Sequence, residues 1–411
     1  MATLSATQYN AASGSYSDVL SAYNSASDGD TVNIPADTVS WSSQLLISDK
    51  EITILGASQL TTVITYTGSN SYDAGAFRID NDAGDPKDDF EIGDMTIIEG
   101  MGNRDTGAMG INHWDSGPDW VVHHVTFKSG YNGNMMNVGR NQGSNGGLID
   151  SCLFELTAST STKALQINAK DMDVETYDDT TNGYGSVSWG EANTLGTKNC
   201  TYIEDCTFDF SSGNYVSMDF DEGARVVVRY CTFTNTGIGS HGDDGGSLDR
   251  GVRHYEIYNN TFTRTTYSFG NSIDLRGGMG CIYENSFADD VQLIHYCSCD
   301  PTVTCGEDWV PPCEPGEYPC QGQIGRGEDQ ALDPLYFWNN TWNGNGIIRY
   351  CDEDVAGVID LNRDYYTDDS SPYTTKPDYT AYTYPHPLAT AGAGEEEPES
   401  HIIGERRRVV F

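Results

Sequence analysis

Three aspartates precede an aromatic residue at nearly the same distance, and this spacing could bring their carboxyl groups together. They are Asp219, Asp249 and Asp274, which lie 14, 13 and 13 residues before Phe233, Phe262 and Phe287. A glycosidase that inverts the anomeric centre needs one protonated and one ionised carboxyl group about 6.5 to 9.5 Å apart. If the chain coils with this period, carboxylates on adjacent or next-but-one coils lie roughly 5 to 10 Å apart. The spacing predicts a hydrolase site, although a surface ladder of ion pairs would show the same pattern.

Cationic side chains accompany these aspartates. Arg140, Arg250 and Arg276 occupy the same level of the repeat within one or two residues, where guanidinium groups would hold a substrate. His241 lies in the glycine-rich loop 239–246, and an imidazole there would carry a proton near neutral pH. We therefore predict substrate binding by the three arginines and a catalytic role for His241.

Tryptophans in the loops suggest contact with sugar rings. Trp114, Trp189 and Trp309 lie outside the recurring pattern described below. Aromatic faces pack on the apolar faces of sugars, while their polar edges still meet water. As a set they are predicted to bind substrate, although each is equally explained by packing within its own loop.

Short coiling strands must position these residues, because a seven-residue pattern ending in an aromatic side chain recurs along the chain. The seven copies end at Phe127, Phe154, Phe208, Phe233, Phe262, Phe287 and Trp342. The gaps between them are 27, 54, 25, 29, 25 and 55 residues, so the long gaps are about twice the short ones. The repeat is therefore 25 to 29 residues long, with some coils too degenerate to show it.

Each copy also predicts a bend. Ile257 is followed three places later by Asn260 and two places after that by Phe262. A plain strand keeps a period of two, so the offset of three requires a bend, with Asn259 in the left-handed conformation that asparagine tolerates. Stacked coils would then form an aromatic ladder and an inward polar ladder. The inward ladder contains Cys152, Cys206, Cys231, Asn260, Asn285 and Asn340.

On these residues the chain resembles the right-handed parallel β-helix proteins of the pectate-lyase superfamily. A short amphipathic helix at 18–26, followed by 29–36 and 52–56, is similar to that family's first coil under a capping helix. The resemblance covers about residues 15–361 and implies an all-β solenoid. Such folds serve lyases, hydrolases, phage tailspikes and inert adhesins, so the resemblance implies no single activity.

The composition narrows the range of partners. The 61 acidic residues against 22 Lys and Arg give a net charge of −39, which repels duplex nucleic acid and anionic membranes. It also disfavours a polyuronate lyase unless Ca²⁺ intervenes. No apolar run approaches the 18 residues of a membrane span. We expect a polysaccharide or cell-surface glycan as partner, and no resident metal or cofactor, with Ca²⁺ left open.

A cysteine-rich segment predicts an oxidising location. Its cysteines are Cys297, Cys299, Cys305, Cys313 and Cys320. The segment has little apolar content, and such segments need disulfides or a metal to hold them folded. Disulfides are preferred, with Cys281 or Cys351 as a sixth partner. Zinc is the alternative, and it is less favoured because paired C-x-x-C units are missing. We therefore expect an extracellular or virion-surface protein.

The sequence divides into four parts. Residues 1–50 form an N-terminal cap and first coil, 51–361 a β-helix with the cysteine-rich insertion 295–335, 362–388 a Tyr- and Pro-rich cap, and 389–411 a linker and tail. Residues 402–411 are basic and apolar, which predicts docking onto another copy or a virion protein, with a disordered tail as the alternative.

These features together favour a surface component of a phage or virus-like particle, similar to a tailspike or capsid-decoration protein, that presents a glycan-recognising flank. A polysaccharide depolymerase, either hydrolase or lyase, is the first alternative. A bacterial adhesin or filament subunit is the second.

Overall fold

A computed structural model describes most of the chain. The described residues are 6–48, 50–68, 75–80, 89–100, 108–112, 119–130, 134–139, 146–157, 163–169, 185–210, 216–242, 250–265, 271–293, 322–343, 348–350, 359–368 and 375–389. In them, successive strands pair in parallel with strands one coil away, which builds three ladders along a common axis. This is the predicted parallel β-helix.

Each ladder contains one strand from successive coils. The first ladder comprises Gln8–Asn10, Asp30–Ile34, Ile52–Gly56, Phe90–Glu99, Val121–Ser129, Leu148–Asp150, Thr201–Glu204, Arg225–Arg229, His254–Tyr258, Met279–Tyr283, Leu335–Trp338 and Tyr365–Tyr366. The second comprises Asp37–Trp41, Thr62–Tyr66, Leu153–Leu156, Thr207–Phe210, Thr232–Thr234, Thr261–Thr263, Ser286–Phe287 and Thr341–Trp342, and it shares Phe90–Glu99 and Val121–Ser129 with the first. The third comprises Leu45–Ile47, Phe77–Asp80, Met109–Asn112, Asn134–Val138, Lys163–Asn168, Met218–Asp221, Ile238–Ser240, Asn271–Leu275, Asp290–Leu293 and Ile348–Tyr350.

Helices are few in the described residues. The α-helix Tyr16–Ser25 begins at Ser15, whose side chain accepts a hydrogen bond from the backbone N–H of Asp18, and its Val19 is buried against the core. A second α-helix covers Ser186–Gly190, and a 3₁₀ turn covers Glu328–Gln330. Neither α-helix has the length and apolar run needed to cross a membrane.

The predicted aromatic ladder forms the spine of the core. Phe154 stacks on Phe208 with ring centroids 4.8 Å apart, and Phe208 on Phe233 at 4.9 Å. The rings between Phe127 and Phe262 are nearly parallel, while Phe287 and Trp342 tilt. Each ring therefore packs on the equivalent ring of the next coil, which confirms the repeat.

The predicted bends join the first ladder to the second. Asn259 has φ of 56° and so takes the left-handed conformation expected of it. The same bend recurs on other coils at Asp94, His124, Ser151, Asp205, Tyr230, Glu284 and Asn339. Directly after the bend, Asn260 Nδ2 donates to Asn285 Oδ1 at 3.0 Å, and Asn285 Nδ2 donates to Asn340 Oδ1 at 3.0 Å. Cys152, Cys206 and Cys231 continue this ladder as buried free thiols.

Residues 375–389, which we call the C-terminal strap, lie against the outer side of the first ladder. Lys376 Nζ binds Asp333 Oδ1 at 2.6 Å, and the backbone N–H of His386 donates to Glu204 Oε1 at 2.9 Å. The strap therefore crosses several coils. The predicted division of the sequence into four parts stays a prediction.

The cysteine-rich segment and residues 402–411 lie outside the described residues, as does Cys351. Cys281 is a buried free thiol on the first ladder. This does not match the expectation that it pairs with the cysteine-rich segment.

Candidate active site on the third ladder

One column of outward-facing positions runs along the third ladder. Strand alternation points the neighbours of each position into the core; Met218 and Phe220, for example, are fully buried on either side of Asp219. The register aligns the outward positions as Leu46, Arg78, Gly110, Asn137, Gln166, Asp219, Gly239 and Asp274. The column is polar over its second half, where two of the three predicted aspartates lie.

Asp219 is surrounded by cations. It is 3% exposed, its Oδ2 accepts a hydrogen bond from Lys163 Nζ, and the same oxygen lies 3.2 Å from His241 Nε2. Burial opposes ionisation, but the charges of His241 and Lys163 hold the pKa of Asp219 well below its usual range. Asp219 is therefore ionised throughout the neutral and mildly acidic range.

His241 lies between two carboxylates. Its Nδ1 is 3.3 Å from Asp221 Oδ2, and its side chain is 26% exposed against 4% for Asp219. The ring thus reaches from the buried Asp219 toward solvent. This placement suits the proton-carrying role predicted for His241.

Asp274 lies in a different environment. Asn271 Nδ2 donates to its Oδ1 at 2.8 Å. Burial raises the pKa of Asp274 to about 6, although the Asn271 hydrogen bond and the charge of Arg276 oppose the rise. Two carboxyl groups on one face thus have pKa values pushed in opposite directions, which is the condition for dividing acid and base roles between them.

Gly239 separates the two aspartates. It pairs with Asp219 on one side and with Asp274 on the other, so their Cα atoms are two strand spacings, about 9.6 Å, apart. A glycine places no side chain between the carboxyl groups. This spacing of the two backbones is close to the upper end of the about 6.5 to 9.5 Å that separates the two carboxyl groups when a substrate bond and a water molecule fit between them.

Amide side chains extend the column beyond Asp219. Asn134 Nδ2 donates to Asn137 Oδ1 at 2.8 Å and to Gln166 Oε1 at 2.7 Å. These neutral donors and acceptors suit hydroxyl groups. Of these amides only Gln166 is partly exposed, whereas Asn134 and Asn137 are buried.

The other predicted residues are only partly placed. Asp249, Arg140, Trp114 and Trp309 lie outside the described residues. Arg276 follows the strand that carries Asp274, and its backbone N–H donates to Ser240 Oγ at 3.1 Å; Arg250 is partly exposed at the start of the segment leading to the next coil.

Trp189 differs from the expected sugar platform. It is only 2% exposed, its Nε1 donates to the carbonyl of Gly251 at 2.8 Å, and the Arg253 guanidinium lies 5.4 Å from its ring centroid. Because the ring is covered, it packs the helix Ser186–Gly190 onto the coil instead of contacting a ligand.

Lys163 and Gln166 are site residues that the sequence reasoning missed. Their coil lies inside the long gap between Phe154 and Phe208, where no aromatic copy marks the level. Counting forward would have found the position, because Gln166 lies 12 residues after Phe154, as Asp274 does after Phe262. The contacts of Asp219 with Lys163 and His241 also make its carboxylate a poor ligand for Ca²⁺.

The fold and this face define a parallel β-helix protein with a carboxylate pair on one outer surface. No protein-family model and no curated protein sequence matches the chain.

Solved structures similar to the chain include three β-helix proteins of low sequence identity. A protein of Geobacillus virus E2, ORF18, is 16% identical over 68% of this chain, with a TM-score of 0.33, and the chain spans 57% of that protein's length. An alginate lyase from a Paenibacillus species is 14% identical over 84% of this chain and 98% of its own, with a TM-score of 0.40. A GH87 alpha-1,3-glucanase from Streptomyces thermodiastaticus is 12% identical over 91% and 70%, with a TM-score of 0.41.

Proposed function

We propose that the outer face of the third ladder binds a polysaccharide and hydrolyses it, with Asp274 as general acid and Asp219 as the ionised base. The observation that carries this proposal is the pair of opposite pKa shifts on one face, separated by Gly239. His241 links the buried Asp219 to solvent and, in its neutral form, accepts the proton that Asp219 draws from the attacking water. The depolymerase alternative is thereby favoured over a face that only binds glycans.

The surroundings of the pair indicate the kind of substrate. The partly exposed amide of Gln166 suits neutral sugar hydroxyls, and a net charge of −39 disfavours polyanions. We therefore propose a neutral or weakly charged polysaccharide. A spacing of two strands is closer to the separation in inverting enzymes than to the about 5 to 5.5 Å of retaining ones, so we propose inversion of the anomeric configuration.

The proposed location is extracellular or on the surface of a phage or virus-like particle. A spike that cuts the surface glycan it binds combines the first two sequence-based predictions in one protein. Deleting residues 402–411 is expected to leave the fold intact and to abolish docking onto the particle or onto other copies, as measured by sedimentation. Unchanged assembly would remove the docking role.

The catalytic proposal is tested by incubating the full chain with neutral and acidic polysaccharides and measuring new reducing ends and unsaturated products. We expect reducing ends alone, and NMR should show inversion in the first product. Asp274→Asn and Asp219→Asn should each lower turnover by about 10² to 10⁴ while binding persists. Asp209→Asn, an exposed aspartate of the second ladder, is the matched control. Full turnover in Asp274→Asn would exclude it as the acid.

A further inference from the structure

A second group of side chains that could bind a ligand lies away from the third ladder, at the bend between the first and second ladders. Asp94, His123 and His124 each offer a ligand atom, and these atoms all lie within 4.8 Å of one another. Asp94 and His123 are buried, with 6% and 2% exposed. None of these residues has a role in the proposed hydrolysis.

The coiling of the chain brings the three residues together. Asp94 and His124 occupy the left-handed bend position of consecutive coils, with φ of 59° and 49°. His123 pairs in register with Gly93, and a Cβ at Gly93 would lie 2.3 Å from Cε1 of the His123 ring. A glycine there is therefore needed for the imidazole to fold back over the neighbouring coil toward Asp94.

The two imidazoles face each other through the same ring atom. Nδ1 of His123 lies 3.1 Å from Nδ1 of His124, and the rings are inclined at 77°. Two nitrogens bound to one tetrahedral zinc ion at 2.0–2.1 Å are roughly 3.3 Å apart. The two atoms share a hydrogen bond here, and their separation is close to this value, so loss of the shared proton would let both nitrogens bind one ion.

An outer carboxylate fixes His123 in the state that a metal ligand requires. His123 Nε2 lies 2.9 Å from Glu91 Oε1, and Thr53 Oγ1 donates to the other Glu91 oxygen at 3.2 Å. A carboxylate that accepts the Nε2 proton leaves the Nδ1 lone pair free to bind. Metal-binding histidines usually have such a carboxylate partner.

We propose that Asp94, His123 and His124 bind one divalent transition-metal ion, with Zn²⁺ the best match, and that Glu91 positions His123. A set of two imidazoles and one carboxylate binds Zn²⁺ in preference to Ca²⁺ or Mg²⁺. Three protein ligands leave the fourth position of a tetrahedral zinc ion for a water molecule. The ion links two adjacent coils where both ladders run through the long strands Phe90–Glu99 and Val121–Ser129.

The test uses the full chain, stripped with a chelator and dialysed against Zn²⁺, with bound zinc measured by mass spectrometry. We expect one ion per chain that depends on this site. Asp94→Asn and His124→Asn keep a residue that tolerates the bend and should each lower zinc affinity by more than tenfold; Glu91→Gln should lower it about 10- to 100-fold. Glu284→Gln, at an equivalent bend with φ of 56°, is the control and should keep full affinity.

Cobalt distinguishes this site from thiolate sites elsewhere in the chain. Co²⁺ bound here should give the visible bands of tetrahedral nitrogen and oxygen ligation, without the near-ultraviolet charge-transfer band of thiolates, and His124→Asn should remove those bands. Circular dichroism checks that each variant is folded. Zinc binding that is unchanged in folded His124→Asn and Asp94→Asn, or no zinc bound by the native chain, would overturn the proposal.

Discussion

Asp219 and Asp274 face the same side of the third ladder two strands apart, and Gly239 pairs with both of them. Lys163 and His241 keep the first ionised, whereas burial favours the protonated form of the second. The strand register thus sets the distance between the two groups, and their different neighbours set the difference in protonation.

The rate of hydrolysis should fall as the pH rises through about 6. The general acid must be protonated, and the pKa of Asp274 is about 6, so the active fraction falls tenfold for each further pH unit. Asp219 stays ionised across this range because its pKa is lowered. Initial rates of reducing-end release between pH 4 and 9 check the profile, with Asp209→Asn as control. A rate that stays constant up to pH 8 would contradict the assignment.

A side chain at position 239 should block the reaction. Gly239→Gln adds a long side chain between the two aspartates and displaces Val216, because its Cβ would lie only 2.9 Å from Val216 Cγ2. We expect turnover to fall by roughly 10²-fold, since misplacing substrate by about 1 Å can have that effect. Gly110→Gln is the matched control, because it lies in the same column and its Cβ would have no neighbour within 4 Å. Equal turnover in the two variants would mean that the gap is not used.

Truncating one ring of the aromatic ladder should strongly destabilise the fold. Phe233→Ala removes a buried ring stacked at 4.9 Å and 4.6 Å on its two neighbours, and we expect the free energy of unfolding to drop by about 3 to 5 kcal/mol. Urea unfolding measures the change, with the exposed Thr232→Ala as control. A loss below about 1 kcal/mol would show that the cavity collapses without penalty.

The stability of the protein should decrease as the pH rises toward 8, partly because of Glu99. This residue is 2% exposed and accepts a hydrogen bond from Ser129 Oγ at 2.6 Å. Burial raises its pKa to about 8, above the value of about 4.3 expected in the unfolded chain. The folded state therefore holds an extra proton between these pH values, and stability is lost as the pH rises through them.

Glu99→Gln tests this pH dependence. The variant should match the native chain near pH 4 and should be the more stable of the two near pH 8, as read from Tm across that range. The exposed-side control is Glu155→Gln, whose carboxylate pairs with Lys128 at 3.0 Å on the surface. A native Tm that rises between pH 5 and 8, with the same slope in Glu99→Gln, would contradict the role of Glu99.

Removing Arg229 should release the C-terminal strap. Its guanidinium is fully buried, binds Glu204 Oε2 at 2.5 Å, and donates to the carbonyls of Tyr382 and Thr383. Arg229→Met leaves a buried carboxylate without its cation, which costs about 3 to 5 kcal/mol. Limited proteolysis should then cut within 375–389. Arg264→Met, which breaks the ion pair with Asp289 on the second ladder, should leave the strap protected.

Sequence reasoning was most successful where a residue contacts its own equivalents. Phe208 and Phe233 stack because the repeat places them one coil apart, so the period alone predicts their contact. Asn259 was predicted at the bend because an offset of three residues cannot fit a straight strand. The similar spacing of Asp219 and Asp274 from the aromatic ladder likewise predicts that they lie on one face.

The environment of those aspartates could not be predicted in the same way. Lys163 belongs to a coil without the aromatic marker, and its contact with Asp219 depends on an insertion of unpredictable path. Trp189 has a covered ring because of Arg253 and the Gly251 carbonyl, which are 62 to 64 residues away in the chain. Contacts of this kind depend on loop geometry and carry no period.

A solenoid in which each coil contacts only its neighbours can unravel from either end, one turn at a time. The C-terminal strap alters that behaviour, because the last described stretch of the chain returns along the barrel of coils from Asp333 to Glu204. The strap thus connects coils that would otherwise separate independently. Mechanical pulling or heating should therefore unfold the coils between Glu204 and Asp333 in one cooperative event, after the strap has detached.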